Sequence, residues 1–326
     1  MIEEFDLFSY STPRFKIDKP VRLIELFAGI GAQAKAFERL GIPFEHYRVV
    51  EWDKYAMASY NAVHGTDFET SDVQKIHAAD LGIEERDKYI YVLTYSFPCQ
   101  DISGAGKRQG YTKGDSTRSG LLWEVERILD ECNGNLPQVL LMENVPLVIS
   151  KSNGNLHNFQ LWRSKLESLG YNNFVQLVNS KDHGIPQNRN RCFMVSILGD
   201  YHYTFPKKRK LELKLKDMLE DKVDEKYYLS DETVQYFIAN TEKNRLKGNG
   251  FRFEPVERER ESRNADSGLL EDQDNGCVSE RRSGGGFIQK GTGKHQSNEV
   301  FDINDETSRC VQASDHKCPI KIVKYD

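Results

Sequence analysis

The sequence predicts an α/β protein with a doubly wound, mainly parallel sheet, followed by a second, smaller, loop-rich domain. Short apolar runs alternate with helical patterns between residues 21 and 198, as in sheets whose parallel strands are joined by helices. The first apolar run breaks into a glycine turn directly before a helix, which is typical of open sheets of this class. Beyond about Tyr203 the chain becomes rich in charge, glycine and serine, which predicts a different kind of structure.

The individual elements follow from this alternation. The first strand is predicted at Val21–Phe27, and its helix at Ala32–Leu40 ends where Gly41 and Pro43 stop it. Further strands are predicted at residues 46–50, 89–94, 139–142, 173–178 and 191–198, and further helices at 54–64, 121–131, 156–169 and about 230–243. The chain is therefore divided into an irregular leader (1–20), an α/β domain (21–203) and a second region (204–326).

Composition narrows the class of protein. The chain has 326 residues, 38% hydrophobic residues and a formal net charge of −5. No run approaches the roughly 18 apolar residues of a membrane helix, and the acidic N-terminus lacks a signal pattern, so we expect a cytoplasmic protein. The six cysteines show no paired CxxC spacing, so neither a disulfide framework nor a metal site is expected. Net charge neither favours nor excludes nucleic acid, because a local basic surface can be balanced elsewhere.

The first group of candidate site residues follows the first two strands. Gly29 and Gly31 allow a sharp turn and the close approach of a ligand to the helix N-terminus. Glu51 follows the second strand about twenty residues on, where a carboxylate can bind a ribose diol. Trp52 offers a flat face for an adenine ring, and Asp72 is placed to read the adenine amine. Taken singly, each residue also fits a plain turn, a helix cap or a core position.

A second group follows the third and fourth strands, at the sheet edge where catalytic groups collect. Cys99 lies in a loop with Pro98, and later glycines make residues 102–114 pliable enough to close over a substrate. Glu143 ends the fourth strand, where burial can raise the pKa of a carboxyl group and make it an acid. A single cysteine is more often a buried apolar residue, and Glu143 alone fits a surface position equally well.

An arginine pair opens the last apolar run. Arg189 and Arg191 are two residues apart, and side chains at that spacing on an extended chain point to the same side. The pair therefore suits a phosphate or a pyrimidine carbonyl, although a solvated strand edge explains it just as simply.

Five motifs resemble, in the same order and spacing, those of the bacterial and phage DNA cytosine-C5 methyltransferases. Any one of them is common, but the combination is highly specific, and it covers roughly residues 21–198. The motifs are Glu25-Leu-Phe-Ala-Gly-Ile-Gly31, Glu51-Trp-Asp53, Phe97-Pro-Cys-Gln100, Met142-Glu-Asn-Val145 and Gln187-Asn-Arg-Asn-Arg191. The resemblance implies a Rossmann-like methyltransferase sheet that binds S-adenosyl-L-methionine.

The resemblance also implies residue roles. Cys99 is the expected nucleophile and Glu143 engages the target base, while Arg189 and Arg191 support the active site. A cysteine thiolate suits this reaction because it adds to carbon 6 of cytosine as a strong nucleophile and can leave again. The cytosine must be flipped out of the duplex to be reached. The residues expected to hold the cofactor are Phe27, Gly29, Gly31, Glu51, Trp52, Asp72 and Pro98.

The second region occupies the position of the family's variable target-recognition domain. A glycine-rich stretch there carries basic residues without a nearby acid, as expected of a loop that follows a phosphate backbone or enters a groove. A flexible surface loop is the alternative. The expected contacts with double-stranded DNA are Gln100, Ser103, Arg281, Arg282, Lys290 and Lys294.

Two later family motifs, one like Arg-x-Leu-Thr-Pro-x-Glu and one like Gly-Asn-Ala-Val, are not found before Asp326. This predicts a truncated product, a degenerate prophage remnant, or half of a split enzyme that needs a separate polypeptide. Three functions therefore stay open: methylation of duplex DNA in restriction-modification or phage self-protection, methylation of transfer RNA, and an inactive subunit that binds DNA or cofactor. The long segment after Tyr203 favours DNA. A nicotinamide dehydrogenase is disfavoured, because Ala34 replaces the third glycine of its fingerprint.

Overall fold

A computed structural model of the chain describes residues 12–102, 110–114 and 117–218, some residues between 230 and 246, and three short strands beyond them. Contacts divide the chain into two compact units. The first comprises Met1–Val178 and Asn190–Lys207, and the second comprises Asn179–Arg189 and Lys208–Asp326.

One mixed sheet and the helices around it make up the first unit. Its strands are β1 (Val21–Leu26), β2 (Phe44–Val50), β3 (Ile90–Tyr95), β4 (Val139–Asn144), β5 (Tyr171–Asn179) and β6 (Asn190–Leu198). Its helices are α1 (Ala32–Arg39), α2 (Lys54–His64), α3 (Ala78–Leu81), α4 (Leu122–Glu131) and α5 (Asn155–Ser168). Short 3-10 helices lie at Val73–Lys75, Arg118–Leu121, Pro146–Ile149 and Ser152–Gly154.

The sheet has the strand order β2-β1-β3-β4-β6-β5. β1 pairs in parallel with β2 and β3, and β3 pairs in parallel with β4, whereas β6 runs antiparallel to β4. The predicted α/β class with a mainly parallel sheet is therefore confirmed. Strand order reverses around β1, and the crevice at the carboxyl ends of strands beside such a reversal is where open α/β sheets bind ligands.

The core lies on both faces of the central strands. Every residue of β3 is buried, which explains its continuous apolar sequence. Trp162 of α5 is fully buried against this strand, and its indole N–H donates a hydrogen bond of 3.0 Å to the Tyr95 hydroxyl. Because the core is closely packed, the loops at the carboxyl ends of β1, β3 and β4 stand on a rigid base.

The structure differs from the sequence prediction mainly at element ends. The short helix α3 was not predicted, and β4 continues two residues beyond the predicted end at Met142. The extension follows from pairing with β6, since the register continues through Glu143 opposite Phe193 and Asn144 opposite Cys192. Pairing with β6 therefore holds Glu143 within the strand.

The second unit is described in short pieces. Its 3-10 helices are Ser180–Asp182 and Leu215–Met218, and Lys208 pairs with Asp182 at 2.8 Å. The described residues from Glu232 to Leu246 are helical, where a helix was predicted. Three strands, β7 (Gly286–Ile288), β8 (Phe301–Asp302) and β9 (Ile322–Lys324), form an antiparallel sheet in the order β8-β7-β9.

Across the described residues, no helix combines the length and apolar character that crossing a membrane requires. Within the same part of the chain, His, Cys, Asp and Glu side chains form no group of three or more that could hold a metal ion.

Candidate active site

The chain turns sharply between β1 and α1. Phe27, Gly29 and Gly31 all have positive φ angles, of 59°, 58° and 77°. This region of φ is uncommon for a residue with a side chain, so the conformation at Phe27 is one that the surrounding structure must hold in place. A Cβ atom added at Gly29 would meet nothing within 4 Å, so this face of the turn is open to a ligand. We refer to residues 27–31 as the glycine turn.

Glu51 ties the glycine turn to the end of β2. The side chain is only 9% exposed, and its Oε2 accepts a hydrogen bond of 2.9 Å from the Gly29 N–H. Its Oε1 accepts a second, also of 2.9 Å, from the Asp53 N–H. Two backbone donors therefore fix the carboxylate at the sheet edge, while the remaining lone pairs of its oxygens can still accept hydrogen bonds from a ligand.

Trp52 and Asp72 lie close to Glu51. The Trp52 side chain is 74% exposed, so it is not the core residue that the sequence also allowed. The Ser71 N–H donates to the Glu51 carbonyl at 2.9 Å, which brings the loop before β3 to the end of β2. Asp72 in that loop accepts a hydrogen bond from the Gln74 N–H at 3.0 Å and so caps a 3-10 helix. Asp72 therefore stabilises a turn, and it also lies beside the crevice.

The loop that carries Cys99 begins directly after β3 and is anchored by Ser119. The Ser119 hydroxyl donates to the Pro98 carbonyl at 2.6 Å, and its N–H donates to the Asp101 carboxylate at 3.2 Å. Gln100 points to the exposed side and accepts a hydrogen bond from Arg118 at 2.5 Å. The nucleophile candidate is therefore placed by a fixed loop rather than by a free one.

Cys99 differs from the other two cysteines that the structure describes. Cys99 is half-buried, whereas Cys132 and Cys192 are buried. Burial raises the pKa of Cys132 to about 11 and that of Cys192 to about 12, the latter with a contribution from Glu143. Since the thiolate is the reactive form, these two buried thiols are inert near neutral pH.

Glu143 forms an ion pair with Arg191. The Arg191 Nε lies 2.9 Å from the Glu143 Oε1, and both side chains are less than one fifth exposed. Phe193 of β6 is opposite Glu143 in the antiparallel register. Arg191 is two residues from Phe193 along an extended strand, so it reaches Glu143 on the same face of the sheet. The guanidinium next to the carboxylate restricts the rotation of the Glu143 side chain.

Asn144 is a site residue that sequence reasoning missed. It is 2% exposed, its side-chain amide donates to the Phe97 carbonyl at 3.0 Å, and its Oδ1 accepts from the Val145 N–H at 2.9 Å. The bond to Phe97 joins the loop of Cys99 to the strand of Glu143. The only signal in the sequence was its position inside the Met-Glu-Asn-Val motif, which says nothing about its partner.

Two further groups of predicted site residues remain: Arg189, and residues outside the described part of the chain. Arg189 belongs to the second unit, where its carbonyl accepts a hydrogen bond of 3.0 Å from the Ser180 N–H. Five of the predicted DNA contacts lie outside the described residues, as does most of the loop between Ile102 and Gly114. These five are Ser103, Arg281, Arg282, Lys290 and Lys294.

The family model for C-5 cytosine-specific DNA methylases matches residues 21–315 of the chain. The chain belongs to this family. Among curated proteins, the C-5 methylase described here is 35% identical to the type II methyltransferase M2.ScrFI of Lactococcus lactis over an alignment of 283 positions, which covers 70% of this chain and 77% of the relative. It is 34% identical to the orphan methyltransferase M.SssI of Spiroplasma monobiae over 268 positions, with coverages of 65% and 68%.

Solved structures agree in fold. The Dnmt2 methyltransferase of S. pombe matches this C-5 methylase with a TM-score of 0.51 at 23% identity, covering 68% of this chain and 67% of that one. The methyltransferase EhMeth of Entamoeba histolytica matches with a TM-score of 0.53 at 21% identity, with coverages of 66% and 65%. At this level of identity the matches establish the methyltransferase fold.

Proposed function

We propose that this chain is a DNA cytosine-C5 methyltransferase that uses S-adenosyl-L-methionine to methylate a flipped-out cytosine in duplex DNA. The observation that carries the proposal is the hydrogen bond from Asn144 to Phe97, which joins the loop of Cys99 to the strand of Glu143. The half-buried thiol of Cys99 follows β3, and the carboxylate of Glu143, paired with Arg191, lies at the end of the neighbouring strand β4. The names of the relatives, type II and orphan methyltransferases, support the same class of reaction.

The residues at the ends of β1 and β2 fit an adenosyl amino acid. The space beside Gly29 is open, and the start of α1 offers backbone N–H groups to a carboxylate. Glu51 presents a fixed carboxylate to ribose hydroxyls, and the exposed indole of Trp52 offers a stacking face to adenine. Phe27, Gly31, Asp72 and Pro98 complete the proposed set. When bound, S-adenosyl-L-methionine supplies the methyl group.

The residues at the ends of β3 and β4 are proposed to activate the cytosine. The Cys99 thiolate adds to carbon 6, and the electron pair of the ring double bond moves towards carbon 5, which becomes nucleophilic. Glu143 holds a proton at N3 of the base, which limits the charge that develops on the ring. After carbon 5 has gained the methyl group, loss of its proton restores the ring double bond and expels the thiolate.

The two arginines have different proposed roles. Arg191 orients the Glu143 carboxylate through the 2.9 Å contact. Arg189 is proposed to hold the O2 atom of cytosine and to orient Cys99. DNA is proposed to be bound by Gln100, Ser103 and the basic residues Arg281, Arg282, Lys290 and Lys294, with residues 204–326 as the target-recognition region. We also propose a role in restriction-modification or phage self-protection, which the type II name of the relative M2.ScrFI supports.

Covalent trapping tests the chemistry directly. The full chain is incubated with S-adenosyl-L-methionine and duplex DNA that contains 5-fluorocytosine, whose fluorine prevents the release of the enzyme. A denaturation-resistant adduct is expected for the wild type and none for Cys99→Ala, while Cys132→Ala serves as the matched control because its thiol is buried. The Cys99→Ala variant should still bind S-adenosylhomocysteine in a calorimetric titration.

Each outcome of this experiment has a meaning. An adduct that persists in Cys99→Ala contradicts the assignment of the nucleophile. A folded wild type that binds the cofactor without forming an adduct would identify a binding subunit instead. Faster methylation of transfer RNA than of duplex DNA, measured with labelled cofactor, would identify transfer RNA as the substrate instead.

A further inference from the structure

A chain of polar groups, of which two are fully buried, lies next to the glycine turn. Glu25 in β1 is fully buried, and its Oε2 accepts a hydrogen bond of 2.5 Å from the hydroxyl of Tyr60 in α2, which is also fully buried. The same hydroxyl lies 2.6 Å from the Nδ1 of His46 in β2. The ring of His64, one turn after Tyr60, lies tilted against both other rings, with centroids 4.6 Å from Tyr60 and 5.1 Å from His46. We call these four residues the Glu25 network.

The Glu25 network contacts the glycine turn and the start of α1. The His64 Nε2 lies 3.2 Å from the Ile30 carbonyl oxygen. A Cβ atom added at Gly31 would collide with the rings of both Tyr60 and His64, so these rings close the space beneath that residue. The Ala34 N–H in the first turn of α1 donates to the Glu25 Oε1 at 3.3 Å. The backbone of the turn is therefore supported by side chains rather than by its own hydrogen bonds alone.

We propose that Glu25, Tyr60 and His64 are positioning residues for the cofactor, which hold the glycine turn in its binding shape without touching the cofactor themselves. The inference rests on the proposed function for the identity of the cofactor. It goes beyond that function because none of the three belongs to the set of residues proposed to contact it. The space beside Gly29 is open to a ligand, whereas the space beside Gly31 is filled by the rings of Tyr60 and His64. The turn can therefore bind the cofactor on one side and be supported on the other.

The network also has two hydrogen-bonding states. Burial raises the pKa of Glu25 to about 7, while burial and the neighbouring His64 lower the pKa of His46. When Glu25 is ionised, it accepts from both Tyr60 and Ala34. When it is protonated, its O–H donates to the Tyr60 oxygen and Tyr60 donates in turn to neutral His46.

The ionised state is the one that holds the turn more firmly, because a hydrogen bond to a charged acceptor is stronger than one to a neutral acceptor. The titratable groups that face this network are His46 on β2, Tyr60 and His64 on α2, and Glu38 on α1, whose charge acts on His46. Cofactor affinity should therefore rise between about pH 6 and about pH 8, as Glu25 loses its proton. By linkage, binding of the ligand near neutral pH should release part of a proton.

Calorimetric titration of the full chain with S-adenosylhomocysteine tests the inference. Titrations in two buffers with different ionisation enthalpies give both the dissociation constant and the number of protons released. Tyr60→Phe removes the hydroxyl that links Glu25 to His46, and we expect a dissociation constant about tenfold higher and a smaller proton release. Tyr55→Phe is the matched control, since it is the same change on the same helix at a side chain that is 64% exposed.

A second variant covers the case in which Tyr60→Phe does not fold. Glu25→Gln keeps a neutral partner for Tyr60, and it should bind the ligand at every pH as the wild type does at about pH 6. Turnover of both variants at saturating cofactor should stay within about twofold of the wild type, because the network acts on binding only. Wild-type affinity and wild-type proton release in these variants would overturn the inference. A wild type that does not bind S-adenosylhomocysteine would instead contradict the proposed function.

Discussion

The two ends of the crevice are held by different kinds of interaction. At the β1–β2 end, the carboxylates of Glu25 and Glu51 accept hydrogen bonds mainly from backbone N–H groups. At the β3–β4–β6 end, side chains hold one another or a neighbouring loop, through the amide of Asn144 and the pair of Glu143 with Arg191. Backbone donors fix the shape of the glycine turn, whereas the ion pair and the Asn144 amide fix the side chain and the loop that are proposed to act on the base. Changes at the first end should therefore affect binding, and changes at the second end should affect turnover.

The largest expected effect is at the second end. Glu143→Gln removes the acid that shares a proton with N3 of cytosine, so turnover should fall by about 10²- to 10⁴-fold. The dissociation constant for S-adenosylhomocysteine should stay unchanged, since Glu143 lies away from β1 and β2. Methylation of duplex DNA with labelled cofactor measures the first quantity and calorimetry the second. The control is Glu167→Gln, which changes a carboxylate in an exposed ion pair on α5. A loss of cofactor binding in Glu143→Gln would contradict the distinction between the two ends.

The next effect is on stability and concerns the buried carboxyl of the first end. Because the pKa of Glu25 is raised to about 7 in the folded state, the folded state keeps this proton while the unfolded state releases it. Well below the pKa that Glu25 has in the unfolded chain, its carboxyl is neutral in both states and ionisation takes nothing from the unfolding free energy. As the pH rises, the unfolding free energy falls, and the fall levels off once the pH has passed about 7. Relative to the wild type, Glu25→Gln should gain about 3 kcal/mol in unfolding free energy between acidic and mildly alkaline pH.

Urea unfolding at a series of pH values measures this change. Glu38→Gln on α1 is the control with the opposite sign, since Lys35 lowers the pKa of that exposed carboxyl. A stability difference between wild type and Glu25→Gln that stays constant with pH would show that folding leaves the pKa of Glu25 unchanged.

A moderate effect is expected at Glu51. Glu51→Gln places an amide N–H₂ against the N–H of Gly29 or of Asp53, and two donors cannot satisfy each other. The dissociation constant for S-adenosylhomocysteine should rise by about 10- to 100-fold. Turnover at saturating cofactor should change little, and a fall in turnover as large as that of Glu143→Gln would remove the distinction between the two ends.

The smallest effect is expected at Trp52. Trp52→Leu removes the stacking face and should weaken ligand binding by about three- to tenfold, at the low end of base–aromatic stacking energies. Trp52→Phe should restore most of the affinity because it keeps a flat ring. Competition binding against labelled S-adenosylhomocysteine compares the two variants, and equal affinities for Leu and Phe would exclude stacking.

Much of the fold was predictable because its signals are local. The continuous apolar sequence of β3 and the glycine turn before α1 both depend on neighbouring residues, and both are seen in the structure. The end of β4 was placed too early, because Glu143 and Asn144 are polar. Their place in the strand is decided by pairing with β6, which lies far along the chain.

The candidate site was predictable in its residues but not in its contacts. Cys99 and Glu143 are conspicuous by their motifs. The hydrogen bond between Asn144 and Phe97 joins residues 47 positions apart, and that between Tyr60 and Glu25 joins residues 35 apart. Such contacts exist only once the sheet has brought distant segments together, so no periodicity or spacing announces them.

The unequal surroundings of the tryptophans have a spectroscopic consequence. The sequence contains three tryptophans, of which Trp52 is 74% exposed and Trp162 is fully buried with its indole N–H bonded to Tyr95. An indole in water emits at longer wavelength than one in a dry core, so the red edge of the emission belongs mainly to Trp52. Occupancy of the crevice can therefore be followed as quenching at that edge, with the blue-edge emission of Trp162 and the half-buried Trp123 as an internal reference and without any added label.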